Sequence, residues 1–297
     1  MNIVLHKTAG TTPEGAPRAD GGRAVWLADL AVQALIDEVE LTPKPALVDG
    51  RGSGAHKDLT LESMRRSAWS LHPTFLAMGL CAHGRQADRS LREDLAAIGR
   101  AGEPAMMAAT GGSNAHRGAI WALGLLLAAS AMRPKGSPEE IGALAGQIAR
   151  FPDRFIPAAP SNGQRVAASY GVPGARGEAT LGFPHVVDIG VPALRQARAN
   201  GIGERQARLD TLMSIMVKLE DTCVLHRGGL PALDTAKRGA RLVLEAGGSS
   251  SMSGMQMLLR LHDDLMALNA SPGGAADMLA ATLFLDRVTS DAARTRN

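Results

Sequence analysis

The chain has 297 residues, 45% of them apolar and 3% aromatic, and a net charge of +3. This composition excludes a disordered chain and a broad basic face for nucleic acid. Its apolar residues are mostly Ala, Leu and Met, with few strand formers, which predicts an all-α protein.

Taken in order, residues 1–22 read as a flexible tail rich in Gly, Pro and charge, and 23–297 as a single multi-helix globular domain. No export signal and no apolar span of about 20 residues is present, so a cytoplasmic protein that does not enter a membrane is expected. Cys81 and Cys223 lie in apolar helical contexts and read as core thiols, not a disulfide. A first helix is predicted over 22–40, with Leu27, Leu30, Ala31, Ala34 and Leu35 on one face. The stretch from Ala46 to Asp58 follows. Its glycines let backbone approach a ligand, and Asp58 is the expected N-cap of a helix from Leu59. His72-Pro73 ends that helix and another carries Phe75 to Cys81; a polar helix is read over 90–100.

Gly111-Gly112-Ser113-Asn114-Ala115-His116-Arg117-Gly118 opens an apolar helix over 119–132, a natural anion site at a helix start. Pro138 begins a helix to Arg150, and Ser161-Asn162-Gly163 a short one inside the Pro- and Gly-rich stretch 151–184, read as a loop over a site. After a helix over 186–199, one long helix is predicted from Glu204 to His226. Leu209, Leu212, Met213, Met216, Leu219 and Cys223 fall on one face with Glu220 near its middle, so Glu220 is expected to be buried. Alone, that reads as a structural ion pair. Helices over 231–246 and 253–268 follow. Ser271-Pro272 then starts the last helix, in which Gly273 and Gly274 make sense only if something lies against their backbone.

The chain has no Walker loop, dinucleotide-binding glycine motif, Cys/His metal spacing or nucleophile elbow. It has carboxylates and cations at glycine-marked helix ends, and the pairs His56-Lys57, His116-Arg117 and His226-Arg227 beside glycines. Such sets suit Mg²⁺-phosphate binding or acid–base chemistry at a sugar carbon. A Mg²⁺-dependent nucleotide hydrolase and a non-catalytic helical partner protein are the rival classes.

Asp49 to Asp58, Asn114 to Gly118, Arg176-Gly177-Glu178 with Gly182-Phe183-Pro184, Glu220 to Gly229, and Ser271 to Asp277 occur in the order found in the triphosphoribosyl-dephospho-CoA synthase family, which the chain resembles over about residues 25–290. The form Leu47-Val48-Asp49-Gly50-Arg51-Gly52-Ser53-Gly54-Ala55-His56 is similar to the malonate decarboxylase branch more than to the citrate lyase branch, although Gly50 replaces a larger residue.

The resemblance implies an all-α fold with its active site at glycine-marked helix ends. It also implies attack of the 2′-hydroxyl of 3′-dephospho-CoA on the ribose C1 of ATP, with adenine leaving. The product would pass to a phosphoribosyl-dephospho-CoA transferase that loads an acyl carrier protein, and a homodimer is the candidate assembly. Within that reading Glu220, Asp221 and Glu178 are the expected catalytic carboxylates, Glu220 carrying a raised pKa from burial. His56, Lys57, Asn114, His116, Arg117, Arg176, His226, Arg227, Ser271, Gly273 and Gly274 are the expected substrate and phosphate contacts. Asp49, Asp58 and Asp277 are the expected ligands of the Mg²⁺ that accompanies ATP.

Overall fold

The computed structural model describes residues 18–294, all-α but for one isolated bridge between Asp49 and Gly52. Most of the expected tail lies outside the described residues, and the first helix, α1 (Arg18–Glu40), begins four residues before its expected start. Helices α2 (Leu61–Ser70), α3 (His72–Ala82), α4 (Arg89–Ala109) and α5 (Arg117–Met132) follow. Next come α6 (Pro138–Arg150), α7 (Asn162–Tyr170), α8 (Gly174–Thr180), a π-turn (His185–Gly190) and α9 (Val191–Ala199). The chain closes with α10 (Glu204–Lys218), α11 (Thr222–Glu245), α12 (Met252–Ala267) and α13 (Gly273–Arg294).

The centre is α5, which buries every residue from Ala119 to Ala131 except Trp121. A helix apolar all round must be surrounded; α1, α3, α6 and α13 pack against it, and α13 also packs on α1 and α10. Outside this core, α10, α11 and α12 pack in succession, and α8 covers α6. No helix among the described residues is long and apolar enough to cross a membrane.

Four local expectations are corrected. Asp58 does not cap α2. Thr60 does, in a reciprocal box with Ser63 (Ser63 N–Thr60 Oγ1 3.2 Å, Thr60 N–Ser63 Oγ 2.9 Å). The polar helix runs past Arg100 to Ala109, with Pro104 inside it, because Leu91, Leu95 and Met106 hold one face in the core. Cys81 is only partly buried and Cys223 is exposed.

The fourth correction matters most. The long helix breaks after Lys218, with Leu219 (φ −67°, ψ 132°) and Asp221 (φ −69°, ψ 109°) extended. Beyond it α11 is itself interrupted at Gly229 (φ 62°, ψ −160°), two residues before Pro231. The helical phase that placed Glu220 on the apolar face ends at 218.

Candidate active site

Asp221 is the hinge of the site. It is buried, and its Oδ1 accepts from Cys223 N (2.8 Å), Val224 N (3.4 Å) and Gly274 N (3.2 Å), while Oδ2 accepts from Ala275 N (2.9 Å). One carboxylate thus caps both α11 and α13, helices whose starts lie about fifty residues apart in the chain. Burial pushes its pKa up and the four N–H groups pull the other way; the net direction is upward. The glycines of α13 now have their reason. A Cβ at Gly274 would sit 2.8 Å from Asp221 Oδ1, and one at Gly273 would sit 3.2 Å from Cys223 Sγ. Ser271 does not cap α13: the Gly274 and Ala275 N–H groups go to Asp221, and the Ser271 hydroxyl meets His56 instead.

About one turn into α13, Asp277 lies opposite Gly118 at the start of α5, where any Cβ would overlap its Oδ2. Among the described residues no hydrogen bond or ion pair reaches its carboxylate. Solvent touches part of the residue, yet the surrounding protein raises its pKa well above the carboxylate range, with Glu38 and Asp221 adding to the burial. Behind it, Lys44 Nζ donates to Glu38 Oε1 (2.5 Å) and to the Glu38 carbonyl (2.6 Å), both side chains buried. His116 is also buried: Nδ1 meets Ser67 Oγ at 2.7 Å and Nε2 has no partner. Its pKa is lowered to about 3 by burial and by Lys44, so it is neutral.

The glycine-rich loop is tied to α11 and to the start of α13 through Arg227 and Ser271. Gly54 (φ 56°) is required there, since a Cβ would overlap the carbonyl oxygens of Ala46 and Leu47. Arg227 donates to Ala55 O (2.9 Å) and to His56 Nδ1 (3.1 Å). A guanidinium only donates, so Nδ1 is the acceptor and Nε2 carries the proton given to Ser271 Oγ (2.9 Å). Burial and Arg227 lower the His56 pKa to about 4. Ser113 holds Asp58 below its usual range, which ties this loop to the one before α5.

On the other side, Arg117 is exposed, pairs with Glu103 (2.9 Å), and gives its N–H to Asn114 Oδ1 (3.1 Å). Lys57, Arg176 and His226 are exposed. One turn along α5, Trp121 donates Nε1–H to Ala175 O (3.0 Å), and the Arg92 guanidinium lies 4.8 Å from the centre of its ring.

Several expected site residues stand elsewhere. Glu220 is 42% exposed and paired with Lys237 Nζ (2.5 Å), so the burial on which its catalytic role rested is absent. Glu178 is buried but holds His185 through N (2.9 Å) and Nδ1 (2.7 Å), bracing the turn where Phe183 adopts φ 61°. Asp49 is used up by Lys44 N (2.7 Å), Arg51 N (2.8 Å) and the Arg51 guanidinium (2.8 Å). It therefore does not join Asp58 and Asp277 as a metal set, and no group of three His, Cys, Asp or Glu among the described residues is arranged to hold an ion. The sequence reading also passed over Glu38, Lys44, Trp121 and Arg92. Glu38 was findable: it continues the Ala31, Ala34, Leu35 face of α1, so the rule applied to Glu220 fits it better.

A family model described as ATP:dephospho-CoA triphosphoribosyl transferase matches residues 24–296. A relative from Azotobacter vinelandii, named a probable 2-(5''-triphosphoribosyl)-3'-dephosphocoenzyme-A synthase, is 57% identical over 264 residues, 88% of this chain and 90% of that protein. The synthase of that name from Klebsiella pneumoniae is 54% identical over 90% of this chain and 95% of its own length. A probable synthase from Pseudomonas paraeruginosa is 56% identical over 97% and 96%. No solved structure matches.

Proposed function

The chain belongs to the ATP:dephospho-CoA triphosphoribosyl transferase family and is an enzyme; on that premise we propose how its recess performs the transfer and which acyl carrier protein it serves. The 2′-oxygen of 3′-dephospho-CoA forms a bond to the ribose C1 of ATP as the bond from C1 to adenine breaks. The hydroxyl loses one proton and adenine gains one, so the transfer is neutral in protons. The triphosphate stays on the ribose.

Asp277 is the proton donor to adenine in this reading. The observation that carries it is a carboxyl set against Gly118 that receives no hydrogen bond among the described residues and whose pKa is raised by burial, Glu38 and Asp221. An upward shift is the direction a general acid working near neutral pH requires. Solvent returns the proton released by the attacking hydroxyl. Asp221 fixes the two helix starts between which the sugar lies, and Gly118, Gly273 and Gly274 let Asp277, Cys223 and Asp221 pack against those starts. Arg227 keeps His56 neutral and the loop closed. Lys57, Arg117, Arg176 and His226 meet the triphosphate and the pyrophosphate of dephospho-CoA. Mg²⁺ arrives on the ATP phosphates as part of the substrate, needing few protein ligands.

The loop from Leu47 to His56 supports the malonate decarboxylase branch, with the product passed to the transferase that loads that enzyme's acyl carrier protein. A cytoplasmic location goes with this reading. Incubation with Mg²⁺-ATP and 3′-dephospho-CoA tests the reaction: adenine is expected in equal amount to an adduct of dephospho-CoA plus one triphosphoribosyl group. Adenine and free ribose triphosphate, formed without dephospho-CoA, would instead identify the nucleotide hydrolase. The branch is tested separately, since deleting the gene is expected to leave the malonate decarboxylase carrier protein at its unmodified mass.

A further inference from the structure

Arg92 on α4 is a buried cation without a partner to match. It is 8% exposed, its Nε is sealed with no acceptor, and its guanidinium makes no hydrogen bond among the described residues. Its nearest carboxylate is Asp153 at 3.9 Å, which is already taken by Arg100 at 2.6 Å. The other carboxylate nearby, Glu93, is held by Arg89 and Arg154. The exposed Arg176 adds further positive charge beside Arg92. A guanidinium withdrawn from water without an acceptor is costly, and an anion bound there would offset that cost.

The placement is not incidental to the recess. Trp121 carries Arg92 on its ring and, through Nε1–H to Ala175 O, fixes the residue next to Arg176. Trp121 stands three residues after Gly118, which abuts Asp277. The two lie on one side of α5, separated by about 5 Å of helix rise. Phosphates of a ribose at Asp277 that extend along α5 would reach Trp121 and, on its ring, Arg92.

We propose that Arg92, with Arg176, binds the terminal phosphate of the triphosphate and makes the enzyme select ATP over ADP. This rests on the reading of Asp277 as the ribose end of the site. The guanidinium fork matches two phosphate oxygens at once, which an ammonium cannot do. ADP would leave both arginines unanswered.

The test is calorimetric binding of inorganic triphosphate to the whole protein, together with the ratio of kcat/KM for ATP to that for ADP, read as adenine release. Arg92→Lys keeps a charge near Asp153. It is expected to weaken triphosphate binding at least tenfold and to lower the ATP:ADP ratio by a similar factor. Arg100→Gln, which breaks the closer pair with Asp153, is expected to change triphosphate binding less than threefold. Unchanged binding in Arg92→Lys, or an equal loss in Arg100→Gln, would overturn the proposal. If Arg92→Lys does not fold, Arg176→Gln reads the same pair of cations: a fivefold loss is expected, and no loss overturns the proposal. Triphosphate binding needs no turnover, so a wild-type protein that binds it through Arg92 yet forms no adduct would refute the proposed reaction and leave this pocket standing.

Discussion

The corner at Leu219–Val224 and the first turns of α13 each hold one aspartate with a raised pKa, under opposite conditions. Asp221 receives four backbone N–H groups from two helices. Asp277, close enough to feel its charge, receives none. A carboxylate surrounded by donors is committed to structure, because its oxygens have nothing left to offer a substrate. One without donors costs stability and is kept where it has something to do. That contrast is why the proposed proton transfer is placed at Asp277 and not at Glu220-Asp221, where the sequence motif is densest.

The contrast can be broken first at Asp221. Asp221→Ala leaves the starts of α11 and α13 uncapped and four N–H groups without their acceptor. A loss of about 2–4 kcal/mol is expected in denaturant unfolding, from two caps and a buried polar deficit. A loss under about 1 kcal/mol would mean that the hinge role is overstated. Gly118→Ala acts on the other side. Its methyl must displace Asp277, so adenine release should fall roughly 10- to 100-fold, as misplacement of a reacting group does, while the fold persists. Wild-type turnover would show that the close approach of Gly118 to Asp277 has no part in the chemistry.

The smallest effect sharpens the contrast through pH. Asp277 binds its proton more tightly folded than unfolded, so its contribution to stability declines as pH rises from about 4, the unfolded value, toward the raised folded one. Asparagine never ionises. Asp277→Asn should therefore melt higher than wild type at neutral pH, with the difference closing as pH falls toward about 4. A variant less stable than wild type at every pH would indicate that Asp277 has a structural partner.

Much of the fold was legible because its signals are local. Ser137-Pro138 with Glu140 and Ser161 with Gln164 form reciprocal caps at the expected starts of α6 and α7. The apolar run of α5 reads directly as a buried helix. The break at 219–221 was hidden because Met216, Leu219 and Cys223 keep helical spacing across it. The donors that make Asp221 a cap for α13 come from Gly274 and Ala275, and no local pattern announces such a tertiary pairing. The glycines of α13 did announce that something lies on them, and Asp277 was named as a site residue. Its isolation was invisible until Gly118, Glu38 and Asp221 were set around it. Arg92 sits in an ordinary charged stretch, and only Trp121, on another helix, gives it meaning.

The account turns on which carboxylate handles the proton. Its most direct measurement is adenine release from Mg²⁺-ATP and 3′-dephospho-CoA by Asp277→Asn, compared with Glu220→Gln. The account predicts a fall of about 100-fold or more in kcat for Asp277→Asn, the usual weight of a general acid, with the fold intact. For Glu220→Gln, whose half-exposed carboxylate meets Lys237, it predicts turnover near wild type. Near-wild-type turnover in Asp277→Asn, or a collapse confined to Glu220→Gln, would contradict it.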